Sequence, residues 1–228
     1  MRESAGVRVR KTQRPKGLFI TFEGIEGSGK TTQLLRAAEL LRREGLPVVT
    51  TREPGGTSLG LQLRRLLLEL PEPMDPAAEL LLMFADRRQH LRDGILPALE
   101  AGRIVLCDRY TDASRAYQGA GRKLGEELVD LLQENFAPLE PDRTYLLDCP
   151  VDSALARVAA RPGGDRDRIE REGVAFHERV RAAYRRRARK EPKRFVVLDA
   201  SASPDQVCAD LMEDLEPFLE PFRKRAAR

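Results

Sequence analysis

Long apolar runs are missing from this 228-residue chain. Nothing in it approaches the roughly 20 residues a helix needs to cross a bilayer. The N-terminal stretch MRESAGVRVRKTQRPK lacks the apolar centre of a secretory signal, and a disordered basic extension is a simpler reading of its arginines than an organellar transit peptide. Cysteine is scarce: Cys107, Cys149 and Cys208 stand in no metal-type spacing, so reduced structural thiols in a cytoplasmic protein are expected. Asparagine occurs once, as Asn135 followed by Phe136, so the guanine-reading N-K-x-D motif is absent and a GTPase-type switch is excluded. Excess charge is small as well. Lys and Arg number 40 against 36 Asp and Glu, a net +4, which does not mark a dedicated nucleic-acid binder. The basic residues cluster at both termini and in RVRAAYRRRARK, residues 179 to 190. Tyr184 is the one aromatic of that run, too few for a base-stacking platform, so a solvated helix face is expected there.

What the chain does have is alternation. Five short apolar runs, LFITF from Leu18, PVVTT from Pro47, RIVLCD from Arg103, RTYLLD from Arg143 and RFVVLD from Arg194, read as near-continuous strands of a buried parallel sheet. Helical periodicity or composition covers residues 30 to 44, 58 to 69, 76 to 101, 122 to 135, 151 to 160, 170 to 190 and 204 to 216. The pattern predicts a doubly wound α/β domain, five parallel strands flanked by helices, over residues 17 to 218, with a basic extension at 1 to 16 and a basic tail at 219 to 228. A hydrophobic content of 41% suffices for one core. In such sheets ligands gather at the carboxyl ends of the strands.

At the end of the first strand stands GIEGSGKT, Gly24 to Thr31, a complete G-x-x-x-x-G-K-[ST] between a strand and a helix start. A chain of this length matches that pattern by accident on the order of one time in a hundred. Its glycines let backbone N–H groups point at phosphate oxygens, and the helix N-terminus adds partial positive charge. Lys30 is suited to the β and γ phosphates, and the Thr31 hydroxyl to the bridging magnesium. Asp108, closing IVLCD, has the form of the carboxylate that a second strand delivers to that metal; a strand-terminal Asp is also an ordinary turn residue. Arg109 beside it suits a substrate that carries its own phosphate.

GIEGSGKT, TREPGGT, DRYTDASRAYQGAGR and DRIE, in this order between residues 18 and 200, resemble the bacterial thymidylate kinase family of the type with an arginine-rich lid. The resemblance implies the fold of nucleoside monophosphate kinases and γ-phosphoryl transfer from ATP to dTMP with Mg2+. It also implies a homodimer, with neither membrane nor nucleic acid as partner. Gly24, Ile25, Glu26, Gly27, Ser28, Gly29, Lys30, Thr31 and Thr32 would then hold the donor phosphates, Thr31 and Asp108 the metal. Glu26 matches a family carboxylate near the acceptor's sugar and phosphate, and Arg52, Glu53 and Pro54 match the loop that shapes that pocket. Arg64 resembles a further phosphate-side arginine, with a solvated helix charge as the equal alternative.

For the base, the resemblance gives Arg87 a hydrogen bond to a thymine carbonyl, with Arg88 as its neighbour in sequence. The family's stacking aromatic four residues earlier is replaced by Met83, with Phe84 one later, so either a methionine platform or a shifted Phe84 carries the base. Ser114 and Gln118 fall on the far side of the pyrimidine, Tyr117 beneath the deoxyribose, and Ala113 replaces a hydroxyl of that network. ARPGGDRDRIE, residues 160 to 170, resembles the mobile lid; Arg161, Arg166 and Arg168 are its candidates for the cation at the transferring phosphoryl, or for a clamp on the nucleotide. A kinase for another nucleoside monophosphate and a P-loop ATPase acting on nucleic acid are the alternatives to this reading.

Overall fold

The computed structural model describes residues 16–161 and 167–226. The expected basic extension, apart from Lys16, and the middle of the expected lid, including Arg166, lie outside the described residues. Five parallel strands, β1 (Leu18–Glu23), β2 (Val48–Arg52), β3 (Ile104–Asp108), β4 (Arg143–Asp148) and β5 (Phe195–Asp199), pair in the order β2-β3-β1-β4-β5. The three central strands are buried as their composition predicts, whereas β2 and β5 lie at the edges and keep partial exposure, with Val197 half exposed.

Side chains alternate across β1. Ile20 and Phe22 enter a core shared with Leu34, Ala37, Leu41, Tyr184 and Leu215, while Phe19 enters a second core with Leu80, Phe84, Val105 and Tyr110 on the opposite face. Both faces being apolar, the period of two is hidden in a continuous hydrophobic run. The register pairs Phe22 and Arg52 with Asp108, so β1, β2 and β3 end level with one another. That level edge is where the site forms.

Helix α1 (Lys30–Arg43) starts after Gly29. It stops at Gly45, whose φ of 77° lets the amides of Gly45 and Leu46 reach the carbonyls of Arg42 and Leu41. Helix α2 (Ser58–Glu69) is capped by the Thr57 hydroxyl and α3 (Pro76–His90) by the Asp75 carboxylate. The single helix expected over 76 to 101 is interrupted. A wide π-type turn, Leu91–Ile95, joins α3 to α4 (Leu96–Glu100), because Pro97 has no N–H to continue the regular ladder.

Three other expectations shift. The polar sequence after β3 is helical, as α5 (Thr111–Ser114) and a π-type segment Arg115–Gly121, and the helix expected from 122 begins only after Gly125, as α6 (Glu126–Phe136). Helices α7 (Val151–Ala159) and α8 (Val174–Lys190) flank the lid region, α8 starting four residues later than expected. Helix α9 (Pro204–Ala226) runs on through the supposed tail, because Leu215, Leu219 and Phe222 recur at helical spacing and are buried. Among the described residues, no helix is long and apolar enough to cross a membrane, and the three cysteines are free and buried.

Candidate active site

The turn after β1 requires its glycines. Gly24, Gly27 and Gly29 have φ of 141°, 76° and 92°, and a Cβ on Gly27 would stand 2.1 Å from the Ala154 carbonyl oxygen. Ile25 turns its side chain into the core and offers its carbonyl to Lys30 Nζ at 2.8 Å. Burial and the nearby Arg109 guanidinium bring the Lys30 ammonium down to about 8, against the partial restoring pull of Asp108, Glu26 and Glu23. Thr32 and Ser28 border a second cavity behind the loop, with Gly27, Gln33, Arg157 and the Ala200–Pro204 turn.

Thr31 Oγ1 hydrogen-bonds Asp108 Oδ2, so the two expected metal ligands come from α1 and β3 to one point. A hydroxyl and a carboxylate are hard oxygen donors and suit Mg2+, which keeps several waters and takes substrate phosphate oxygens for the rest of its shell. The residues fit the ion.

Arg109 follows with a left-handed φ of 71°. Its guanidinium donates to the Gly24 carbonyl at 2.9 Å, the Tyr184 hydroxyl at 3.3 Å and Glu26 Oε1 at 2.6 Å, and lies 4.8 Å above the Tyr117 ring. Glu26 Oε2 in turn accepts from the Tyr117 hydroxyl at 2.7 Å. Burial favours the protonated form of Glu26, but Arg109, Lys30 and Tyr117 outweigh it and hold the carboxyl below its ordinary range. Beneath this layer, Glu23 accepts from the Tyr110 amide at 2.8 Å and the Tyr184 hydroxyl at 2.7 Å. Its burial, reinforced by Asp112, pushes it up to about 7.

One cavity is bordered by Glu26, Lys30, Thr31, Asp108 and Arg109, by Arg52, Glu53, Pro54 and Arg64, and by Met83, Tyr117 and Gln118. Arg161 and Arg168, from the segment expected to form a lid, also border it. Arg64 therefore faces the cavity, where burial and Arg52 lower its pKa, and Arg65 is the solvated member of the pair. Arg64 donates to the Pro54 carbonyl at 3.1 Å, tying α2 to the loop after β2.

Three of the residues expected at the base lie behind the cavity wall in the structure. Phe84 does not reach the cavity; it packs in the second core with the Arg87 guanidinium 4.7 Å from its ring, and Met83 is the residue at the wall. Helical geometry decides this, because neighbouring residues point about 100° apart and the second core claims Phe84. Arg87 is likewise fully buried and does not border the cavity. It donates to Glu53 at 2.7 Å, Ser114 at 3.1 Å and the Tyr110 carbonyl at 3.0 Å, so it anchors the pocket wall. Ser114, held by that bond, is buried behind Ala113, which takes its place at the wall.

In the expected lid segment, Arg161 pairs with Glu170 at 2.9 Å and borders both cavities. Arg168 donates to the Leu67 carbonyl at 2.9 Å and meets Glu79 at 2.6 Å, while its amide donates to the Leu68 carbonyl at 3.0 Å. Sequence reasoning missed Glu79, Arg157 and Tyr184. Only Tyr184 left a trace, in the i, i+4 series Phe176, Val180, Tyr184 that marks the buried side of α8. The arginines around it, read as solvated, hold carboxylates: Arg181 makes two bonds to Asp148, at 2.7 and 3.0 Å, and Arg187 lies 3.4 Å from Asp112.

The Thymidylate kinase family model matches residues 22–211. A thymidylate kinase of Ectopseudomonas mendocina (strain ymp) is 51% identical over 209 residues, covering 91% of this chain and 99% of that protein. One from Bordetella pertussis is 50% identical over 206 residues, covering 90% and 97%. The crystal structure of thymidylate kinase from Ehrlichia chaffeensis superposes with a TM-score of 0.71 at 37% identity, covering 89% of this chain and 99% of that one. With a P-loop, a metal-suited pair and a phosphate-ready cavity on a sheet of the same fold, the chain belongs to the thymidylate kinase family.

Proposed function

We propose that this chain transfers the γ-phosphoryl group of ATP to dTMP, giving ADP and dTDP. One observation carries the reading: Lys30, Thr31, Asp108, Arg52, Arg64 and Arg109 converge on the same cavity as Met83, Tyr117 and Gln118. Cations for two sets of phosphates thus share one cavity with a thioether, a phenol ring and a carboxamide suited to a nucleoside. Lys30 would exchange the Ile25 carbonyl for β and γ phosphate oxygens, while the amides from Gly24 to Thr32 line the donor chain. Thr31 and Asp108 would hold Mg2+, which when bound neutralises charge between those phosphates.

Arg52, Arg64 and Arg109 hold the acceptor phosphate, Glu26 meets the sugar, and the Tyr117 ring occupies the space a 2′-hydroxyl would need. Met83 gives the pyrimidine a polarizable platform, with Gln118 at its edge and Glu53 and Pro54 shaping the wall. Arg87 and Ser114 act from behind that wall as positioning residues. In the arginine-rich lid, Arg161, Arg166 and Arg168 are the cations available to the transferring group. Arg161 is the best placed of the described ones, since it borders both cavities.

A homodimer fits the surface. Leu81 on α3 and Leu131 and Phe136 on α6 are 58%, 56% and 49% exposed, on two helices that pack side by side. An apolar patch of that kind suits a self-complementary interface. Sedimentation velocity checks it: Leu81→Glu should yield monomers from a wild-type dimer. A cytoplasmic setting fits the free, buried cysteines.

The activity is tested with the purified chain, ATP, Mg2+ and a panel of dTMP, dUMP, UMP, dCMP, AMP and GMP. Preferred turnover of dTMP is expected. No turnover of dTMP, or a clear preference for another monophosphate, would overturn the assignment.

A further inference from the structure

Glu79 sits on α3, one helical turn before Met83, fully buried yet bordering the cavity. Its Oε1 accepts from Gln118 Nε2 at 2.6 Å. Its Oε2 faces two guanidinium groups, Arg168 of the lid at 2.6 Å and Arg122 at 3.3 Å, as charge pairs rather than aligned hydrogen bonds. A carboxylate only accepts, so it dictates which end of the neighbouring amide turns towards it. The Gln118 nitrogen is committed to Glu79. The Gln118 oxygen is buried without a partner among the described residues, on a side chain that borders the cavity. A buried acceptor left without a donor is costly, and a ligand N–H placed there recovers that cost.

We infer that Glu79 is the positioning residue that fixes base specificity, by locking Gln118 with its carbonyl oxygen towards the ligand so that the cavity selects a pyrimidine bearing N–H at ring position 3. Thymine and uracil carry that donor. Cytosine carries a lone pair there, and two acceptors would face each other. The two arginines make the lock one-sided, because they demand an acceptor at Oε2 and leave Oε1 as the sole partner for the amide. The inference rests on the assignment of this cavity to the monophosphate acceptor.

Glu79→Gln tests it, since the change is isosteric but reverses the logic. The arginines would keep the new amide's oxygen, its NH2 would turn to Gln118, and Gln118 would have to present its own NH2 to the base. The kcat/KM ratio of dTMP over dCMP should fall by at least about tenfold, mostly through KM for dTMP. In a Gln118→Ala background the same substitution should alter the ratio by less than about twofold, because the route through Gln118 is gone. An unchanged ratio in Glu79→Gln, or an equal further fall in the Gln118→Ala background, would overturn the inference.

Should Glu79→Gln fail to fold, the wild-type chain supplies the measurement. The Gln118 side-chain NH2 protons should stay protected from exchange when dTMP is added; loss of protection would refute the lock. Wild-type turnover of dTMP is scored separately, so a failed lock and a failed activity assignment cannot be confused.

Discussion

ATP binding should draw a proton onto Lys30. In the free chain its ammonium is buried beside the Arg109 guanidinium, with Nζ resting on the Ile25 carbonyl, and titrates at about 8 instead of 10.5. At pH 8 about half the molecules therefore carry a neutral Lys30, at pH 7 about one in ten, and at pH 9 about nine in ten. A triphosphate in its place brings opposite charge into contact and restores at least the ordinary value. Uptake per bound nucleotide from this group should be about 0.1 proton at pH 7, about 0.5 at pH 8 and about 0.9 at pH 9. Calorimetric titration of ATP with Mg2+ in buffers of different ionisation enthalpy reads that number as the slope of observed enthalpy against buffer enthalpy. Lys30→Arg, charged throughout, should show no such rise. Uptake that stays flat from pH 7 to 9, or rises equally in Lys30→Arg, would refute the placement of the depressed lysine at the phosphate site.

Glu23 gives a stability test. Its folded-state value of about 7 lies above the 4.5 of the unfolded chain, so its contribution is full below pH 4.5 and is lost as pH rises to about 7; Glu23→Gln should remove that slope and gain on the order of 3 kcal/mol over wild type at pH 8, read by urea denaturation. A variant as pH-sensitive as wild type across that window would count against a buried Glu23. Asp108→Asn keeps the neighbour of Thr31 but removes the charge; half-saturation by Mg2+ in the kinase assay should rise about tenfold or more. Tyr117→Ala should relax the preference for deoxy over ribo substrates, measured as a kcat/KM ratio, and unchanged selectivity would remove Tyr117 from the sugar pocket.

The fold was largely legible because its information is local. Each strand was a short apolar run and most turns carried their own glycine or proline, so β1 to β5 emerged within a residue or two. The errors arose where one residue changed the meaning of its neighbours. Pro97 divided an otherwise continuous helical pattern, and Gly125 postponed α6. Lys30, Thr31, Asp108 and Arg109, named by the family's motifs, border one cavity because backbone geometry at a strand end fixes them. Motif alignment could not tell that Phe84 and Arg87 face inward, since a one-residue difference on α3 turns a side chain from the cavity to the core. Glu79 was invisible for a related reason. A Glu in the first turn of a helix reads as a favourable partner for the helix dipole, and its arginine partners come from the Arg115–Gly121 border and the lid, far away in sequence.

Arg109 shows why the acceptor and donor halves must be read as one site. A left-handed backbone turns its side chain back over the first strand, so that one guanidinium reaches the loop carbonyl of Gly24, the Glu26 carboxylate and the face of Tyr117. The first of these belongs to the P-loop and the last to the residue proposed to lie beneath the sugar, while Glu26 is bonded to both Arg109 and Tyr117. Hydrogen bonds of 2.6 to 2.9 Å thus tie the P-loop to the Tyr117 side of the cavity. Phosphoryl transfer depends mainly on positioning and charge stabilisation, so under the proposed assignment this coupling would serve to hold donor and acceptor in register. Lysine at position 109 would supply the charge but could not span these partners from one planar group, which is why the several fixed donors and flat face of a guanidinium matter here.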